Sequence, residues 1–136
     1  MKKKFKVRKI VRGCVEGEAI VLPGSFSFLG DVDMDNSEII ASESVAKGEH
    51  IKGKILIYKE TKGSSGGMVV LMTMKRKGIA PSALVTVKPV DYNLAEGAIL
   101  SQVPFVCEPD GDILAEIKTG DLVKVDADNG FLQLMN

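Results

Sequence analysis

A strand–helix alternation through the middle of the chain, framed by strand-rich stretches on both sides, predicts an α/β fold: a strand-rich barrel or sandwich body with a β-α-β-α layer on it. Three observations carry that expectation. The apolar period is close to two in the first half, it switches to helical spacing after "KILIYK", and the tail returns to strands. With 136 residues, 45% of them apolar, the chain is long enough to bury a core and reads as one domain over 1–136.

The elements follow in order. "FKVRKIV" alternates and reads as a strand, and "GEAIVL" as a second, stopped by Pro23-Gly24. "SFSFLG" is polar–apolar alternation, which puts Phe26 and Phe28 on one face if it is a strand. "DVDMDNSE" is a turn-rich acidic loop, "EIIAS" a short strand, and "AKGEHIKG" a loop leading into the strand "KILIYK". From there Met68, Leu71, Met72 and Lys75 fall on helical spacing, and "KRKG" places cations and a glycine at the end that favours them. "SALVTV" is a strand, "NLAEGAILSQ" a shorter helix and "VPFVCE" another strand. This β-α-β-α-β order implies right-handed crossovers and a parallel sheet segment. "TGDLVKVDADNGFLQL" is two strands joined by a hairpin turn at "DADNG".

Charge excludes some function classes. Lys plus Arg equals Asp plus Glu at 18 each, so no net field recruits nucleic acid or a membrane surface. The basic start "MKKKFKVRK" is not followed by the apolar stretch of a secretory signal. No apolar run approaches the roughly 20 residues that span a bilayer. Cys14 and Cys107 are widely separated and fit neither a disulfide framework nor a metal knuckle. The expected location is cytoplasmic, with both cysteines acting as buried small hydrophobes.

The stretch that invites chemistry is "TKGSSGG", Thr61 to Gly67, where a parallel strand hands over to a helix. Ligands of α/β sheets gather outside such strand ends, and a helix start offers unpaired N–H groups and a positive dipole end. Gly63, Gly66 and Gly67 let a ligand approach the backbone, which suits a carboxylate, a phosphate or an oxyanion. The plainer alternative is that Ser64 or Ser65 only caps the helix. The stretch is neither a Walker loop nor a nucleophile elbow. His50, the one histidine, sits in a polar loop and reads as solvated, so a hydrolase triad has little support. A serine acting as a base without histidine needs positive potential around its alkoxide. The helix start gives part of that, and Lys62 is the one cation in the turn.

Three blocks, "GEAIVLPGSFSFLGDVD", "IKGKILIYKETKGSSGGMVVLMTMKRKGIAPSALV" and "LAEGAILSQVPFV", together resemble the small subunit of the aconitase X family, from about Val11 to Val106. The resemblance implies an aconitase-type swivelling domain with a β/β/α arrangement. Such a domain caps a separate large subunit that carries an iron–sulfur cluster. In archaeal relatives the pair is a phosphomevalonate dehydratase, which removes water from mevalonate 5-phosphate to give trans-anhydromevalonate 5-phosphate. Relatives in bacteria dehydrate cis-3-hydroxyproline, and another hydroxy acid is a further alternative. In the family pattern the cluster iron takes the leaving hydroxyl. A cluster normally needs three or four cysteines; this chain has two, distant from each other, so no cofactor is expected on it and the cluster is expected on the partner.

By the same resemblance the first serine of the pair, Ser64, is the general base that takes the C–H proton. Ser65 supports it or binds the small phosphorylated hydroxy-acid substrate, with Gly63, Gly66, Lys62 and Ser25 as further substrate contacts. Three positions depart from the pattern: Gly66 stands where ordinary aconitases have arginine, Lys62 where relatives often have arginine, and Asp31 where glycine is usual. Lysine keeps the charge but loses the bidentate fork. Ser25, Asp31 and Asp33 are the polar candidates of the "PGSFSFLGDVD" block, whose plainer reading is a turn over two buried phenylalanines. Two other function classes compete. The tail resembles that of swivelling phosphohistidine carriers, but their site needs a histidine that this turn lacks; a non-catalytic interaction module is the other.

Overall fold

The computed structural model describes residues 3–62 and 66–136. The first strand expected from the sequence is two: β1 (Lys4–Lys6) and β2 (Arg8–Val11), parted at Val7. Val7 is buried and its N–H donates to the Gly130 carbonyl (3.0 Å), so the chain bends inward there and serves a different neighbour on each side. The second strand does not stop at Pro23-Gly24. It runs as β3 (Cys14–Phe26), with Leu22 opposite Tyr58 and Ser25 opposite Glu60. Pro23 and Gly24 thus face a single residue, Lys59, which makes a bulge. A proline with no N–H to give is tolerated where the ladder is already interrupted.

After β3 comes α1 (Phe28–Asp31), a single tight turn with non-helical torsions at Leu29 and Gly30, where φ is 106°. The alternation of "SFSFLG" therefore ends at Phe26. "EIIAS" makes only isolated bridges, Val32 with Ile39 and Glu38 with His50, and is not a strand. The rest follows the expected order: β4 (Ile55–Thr61), α2 (Gly66–Arg76), β5 (Ala83–Thr86), α3 (Tyr92–Ser101), β6 (Phe105–Cys107), then β7 (Leu122–Asp126) and β8 (Phe131–Leu134). Between β6 and β7 lies an element not foreseen, α4 (Ile113–Glu116). Its start is capped by Asp112, whose carboxylate accepts the Ala115 N–H (3.3 Å).

The strands form one mixed sheet in the order β1-β8-β7-β3-β4-β5-β6-β2. β3 through β6 are parallel, as the alternation with helices requires, and the other pairings are antiparallel. The long β3 belongs to both parts of the sheet: Cys14–Glu18 pair with β7 and Ala19–Phe26 pair with β4. The opposite seam is the N-terminal segment. β1 and β2 are the two ends of the sheet order and yet are consecutive in the chain, so the backbone links the two ends through Val7. The expected strand-rich body with a β-α-β-α layer is thus a mixed eight-stranded sheet whose long β3 switches partners.

Two apolar cores result. The first core collects Phe5, Val21, Ile57, Val85, Val125 and Leu132 from strands along the sheet, and α4 adds Ile113 with Ile117 just beyond it. The second core lies between the sheet and the helices and contains Leu56, Tyr58, Val70, Leu71, Met74 and Leu94. β4 feeds both, with Ile55 and Ile57 inward and Leu56 and Tyr58 toward the helices, which is why "ILIY" is a continuous apolar run. Each such side chain contributes about 1.5–3 kcal/mol through burial. The two helices approach closely at Gly97 of α3. A Cβ there would stand 3.1 Å from Met68 Cγ and 3.2 Å from its Cα and carbonyl oxygen. Among the described residues no helix is long and apolar enough to cross a membrane.

Candidate functional site

The site is built where β3 and β4 end side by side. Both are parallel, so their C-terminal ends open on the same edge, the edge where ligands of α/β sheets collect. Phe26 pairs with Thr61, and the Lys62 N–H donates to the Phe26 carbonyl (2.9 Å), continuing the ladder one residue beyond β4. The two segments singled out in the sequence, "PGSFSFLGDVD" and the entry to "KGSSGG", are thereby brought together.

Beneath them lies an aromatic floor. Phe26 and Phe28 meet edge to face with centroids 5.1 Å apart, and Tyr58 tilts against Phe26 at 5.4 Å. Both phenylalanines are buried as expected, although Phe28 reaches the core from the α1 turn and not from a strand. Tyr58 is fully buried and its hydroxyl pairs with Thr61 Oγ1 (3.0 Å). Burial pushes its phenol well above the ordinary range, with the Thr61 hydrogen bond opposing.

Over this floor is a cleft of about 350 Å³. Its polar lining includes Ser25, Asp31, Glu43, Ser44 and Lys62. Asp31 is fixed by the α1 turn: its Oδ2 accepts the Ser27 N–H (2.8 Å) and pairs with Lys62 Nζ (3.0 Å). Glu43 lies on the opposite loop. The Ser42 hydroxyl (2.8 Å) holds its carboxyl below the ordinary value, helped by a backbone hydrogen bond at Glu43 and by the charge of Lys62, while desolvation and the charge of Asp31 oppose. Val45, on the same loop, is 78% exposed at the rim.

Of the expected site residues, Ser25 is exposed on the cleft, Lys62 lines it as the partner of Asp31, and Gly66 is the first residue of α2. Gly63, Ser64 and Ser65 lie outside the described residues. Asp33 serves its own loop, accepting the Asp35 N–H (2.8 Å). His50 is exposed and its Nδ1 lies 2.8 Å from the Asn36 carbonyl oxygen, a loop histidine as the sequence suggested. Glu43 and Ser44 are cleft residues that sequence reasoning did not single out: "ASESVAKGEH" carries no periodicity or motif, and only the chain path delivers it to the cleft.

An iron–sulfur cluster does not fit the donors this chain presents. Among the described residues no three His, Cys, Asp or Glu side chains group to hold a metal. Cys107 is buried, with burial raising its thiol pKa, while Cys14, expected to be buried, is exposed at the start of β3.

A family model of the aconitase X swivel domain matches residues 4–134. The chain belongs to that family. Among aconitase X relatives, the phosphomevalonate dehydratase small subunit of Thermococcus kodakarensis is 41% identical over 132 residues, covering 97% of this chain and 96% of the relative. The protein of the same name from Archaeoglobus fulgidus is 38% identical over 132 residues, covering 97% and 98%. The crystal structure of Thermococcus kodakaraensis aconitase X in its holo-form superposes with a TM-score of 0.91 at 39% identity, covering 98% of this chain and 99% of that one. The swivelling-domain fold expected from the sequence is thus the fold observed, in the aconitase X variety.

Proposed function

We propose that this chain is the small subunit of a phosphomevalonate dehydratase, a single-domain hydro-lyase subunit of the cytoplasm that works only with a large subunit bearing an iron–sulfur cluster. The observation that carries the reading is the meeting of the "PGSFSFLGDVD" block with the lysine ahead of the G-S-S turn, at the ends of two parallel strands, in a chain whose relatives bear that name. The cluster supplies Lewis-acid assistance to the leaving hydroxyl and belongs to the large subunit.

This chain contributes the base. Ser64, as an alkoxide ahead of α2, takes the proton from the carbon next to the substrate carboxylate. The C–H electron pair becomes the new double bond as the hydroxyl departs with its bonding pair; the proton held by Ser64 goes to that hydroxide, which gives water, trans-anhydromevalonate 5-phosphate and the alkoxide again. Ser65, Gly63 and Gly66 are assigned to the anion by the family pattern, and Ser25 lines the cleft beside Lys62. Phe26, backed by Phe28 and Tyr58, gives the cleft an apolar wall.

Reconstitution tests the reading. The chain alone should be inactive, and mixing with an aconitase X large subunit should give turnover of mevalonate 5-phosphate. Robust dehydration by this chain alone would refute it, as would a reconstituted pair that turns over cis-3-hydroxyproline and not mevalonate 5-phosphate.

A further inference from the structure

We infer that the rim of the cleft is the docking face for the large subunit: Leu29, Ile40 and Val45 are apolar anchors among carboxylates, and the surface that meets them is basic. The inference rests on the small-subunit part of the reading above and not on its chemistry. Leu29, Ile40 and Val45 are 55%, 45% and 78% exposed. Leu29 lies in the α1 turn two residues before Asp31, Ile40 donates its N–H to the Asp31 carbonyl (2.9 Å), and Val45 lines the cleft with Asp31. The backbone fixes this exposure. Ile39, beside Ile40, is fully buried; its N–H donates to the Glu49 carbonyl (2.8 Å) and its carbonyl accepts the Gly48 N–H (2.9 Å). Single exposed apolar residues are ordinary on a protein surface. Three around one cleft, on pinned backbone, mark an interaction surface.

Charge selects the occupant. Between Phe28 and His50 stand six carboxylates, Asp31, Asp33, Asp35, Glu38, Glu43 and Glu49, against one lysine, Lys47. Asp31 and Asp35 pair with Lys62 and Lys77, while Glu38, Glu43 and Glu49 make no ion pair among the described residues. An apolar centre inside a polar rim is the anatomy of a protein–protein contact. A second copy of this chain, docked about a two-fold axis, would set carboxylate against carboxylate. Nucleic acid and anionic membranes are repelled for the same reason. A protein surface with lysines and arginines around an apolar hollow fits, and the large subunit is the protein that a small subunit has to meet. The other exposed apolar group, Tyr92, Ile99 and Leu100 on α3, shares its helix face with a single charge, Glu96, and provides the control.

Binding of the chain to an aconitase X large subunit, followed by biolayer interferometry at about 0.05 M and about 0.5 M salt, tests the inference. The double variant Ile40→Ser, Val45→Ser should weaken Kd by at least about tenfold. Glu43→Lys with Glu49→Lys should slow association by about tenfold at low salt and flatten its salt dependence. Tyr92→Ser with Leu100→Ser should bind like wild type. All six side chains are exposed, so the Tm of each free variant should match wild type; if the apolar variant melts early, the charge variant carries the test.

Wild-type binding by either folded loop variant, or lost binding in the α3 variant alone, would overturn the inference. So would a free chain that sediments as a dimer and is dissociated by the loop substitutions, since the face would then belong to a second copy. Failure of the wild-type chain to bind would overturn it together with the small-subunit reading. A pair that assembles through the loop and does not turn over mevalonate 5-phosphate would remove the dehydratase reading and leave the docking face standing.

Discussion

Gly97→Ala sets two effects of opposite sign against each other, and the structure decides between them. Gly97 is buried in the middle of α3, where alanine would gain up to about 1 kcal/mol in helix propensity. Its new Cβ would stand 3.1 Å from Met68 Cγ and 3.2 Å from Met68 Cα and O. The Cγ can swing away, but the other two are backbone atoms of the first turn of α2 and yield only if the helix moves by a few tenths of an ångström. Overpacking of this kind costs about 1–3 kcal/mol, so we expect a net loss of about 1 kcal/mol. For 136 residues that is a drop of about 3–4 °C in Tm. The displaced turn begins at Gly66, directly after Ser65, so kcat of the reconstituted pair should fall by about two- to tenfold. Differential scanning fluorimetry and steady-state turnover on the same preparation read both. A Tm raised by about 3 °C with unchanged kcat would refute the reasoning, since it would mean that the helices accept a methyl group at their closest approach.

Ser64→Ala should lower turnover of the reconstituted pair by roughly 10²- to 10⁴-fold as a lost base; near-normal turnover with a stability loss of about 1 kcal/mol would make Ser64 a helix cap. Tyr58→Phe should flatten the alkaline limb of stability. The folded phenol is raised above its unfolded value near pH 10, so the wild type keeps its full stability below that pH and loses up to about 1.4 kcal/mol per unit above it, a slope absent from the variant in denaturant melts. Ellman's reagent should label one thiol in the folded chain, Cys14, and two after denaturation; rapid labelling of both in the folded chain would contradict the burial of Cys107. The free chain should give a dispersed amide NMR spectrum and no visible absorbance, because two cores close without a partner.

Strong local signals made most of the fold legible. "KILIYK", the helical spacing after Gly66, the Asp91-capped "NLAEGAILSQ" and the "DADNG" hairpin each follow from periodicity or turn chemistry, and each is an element of the structure. The failures share a cause. Val7 breaks what reads as one strand because the two ends of the sheet both need that segment. Pro23 fails to stop β3 because its neighbour across the ladder can face a bulge. Neither fact is written in the residues themselves. The α4 turn is too short to show a period. In the cleft, Lys62 and Ser25 were visible through motif and resemblance, whereas the ion pair of Lys62 with Asp31 and the arrival of Glu43 depend on the path of the loop between them.

The link through Val7 between the two ends of the sheet also dictates when the domain can finish folding. β1 has its ladder partner in β8, well over a hundred residues further along, and β2 has its partner in β6. During synthesis from the N-terminus both early segments must wait, unpaired, while the parallel layer assembles behind them. Loop-closure entropy on that scale slows the last step, and contacts of such long range mark slow folders. The waiting edges expose alternating "KFKVRKIV", whose interspersed lysines and arginines discourage a second nascent chain from adding to them. The basic start of the chain is thus suited to guarding an unpaired strand on the ribosome.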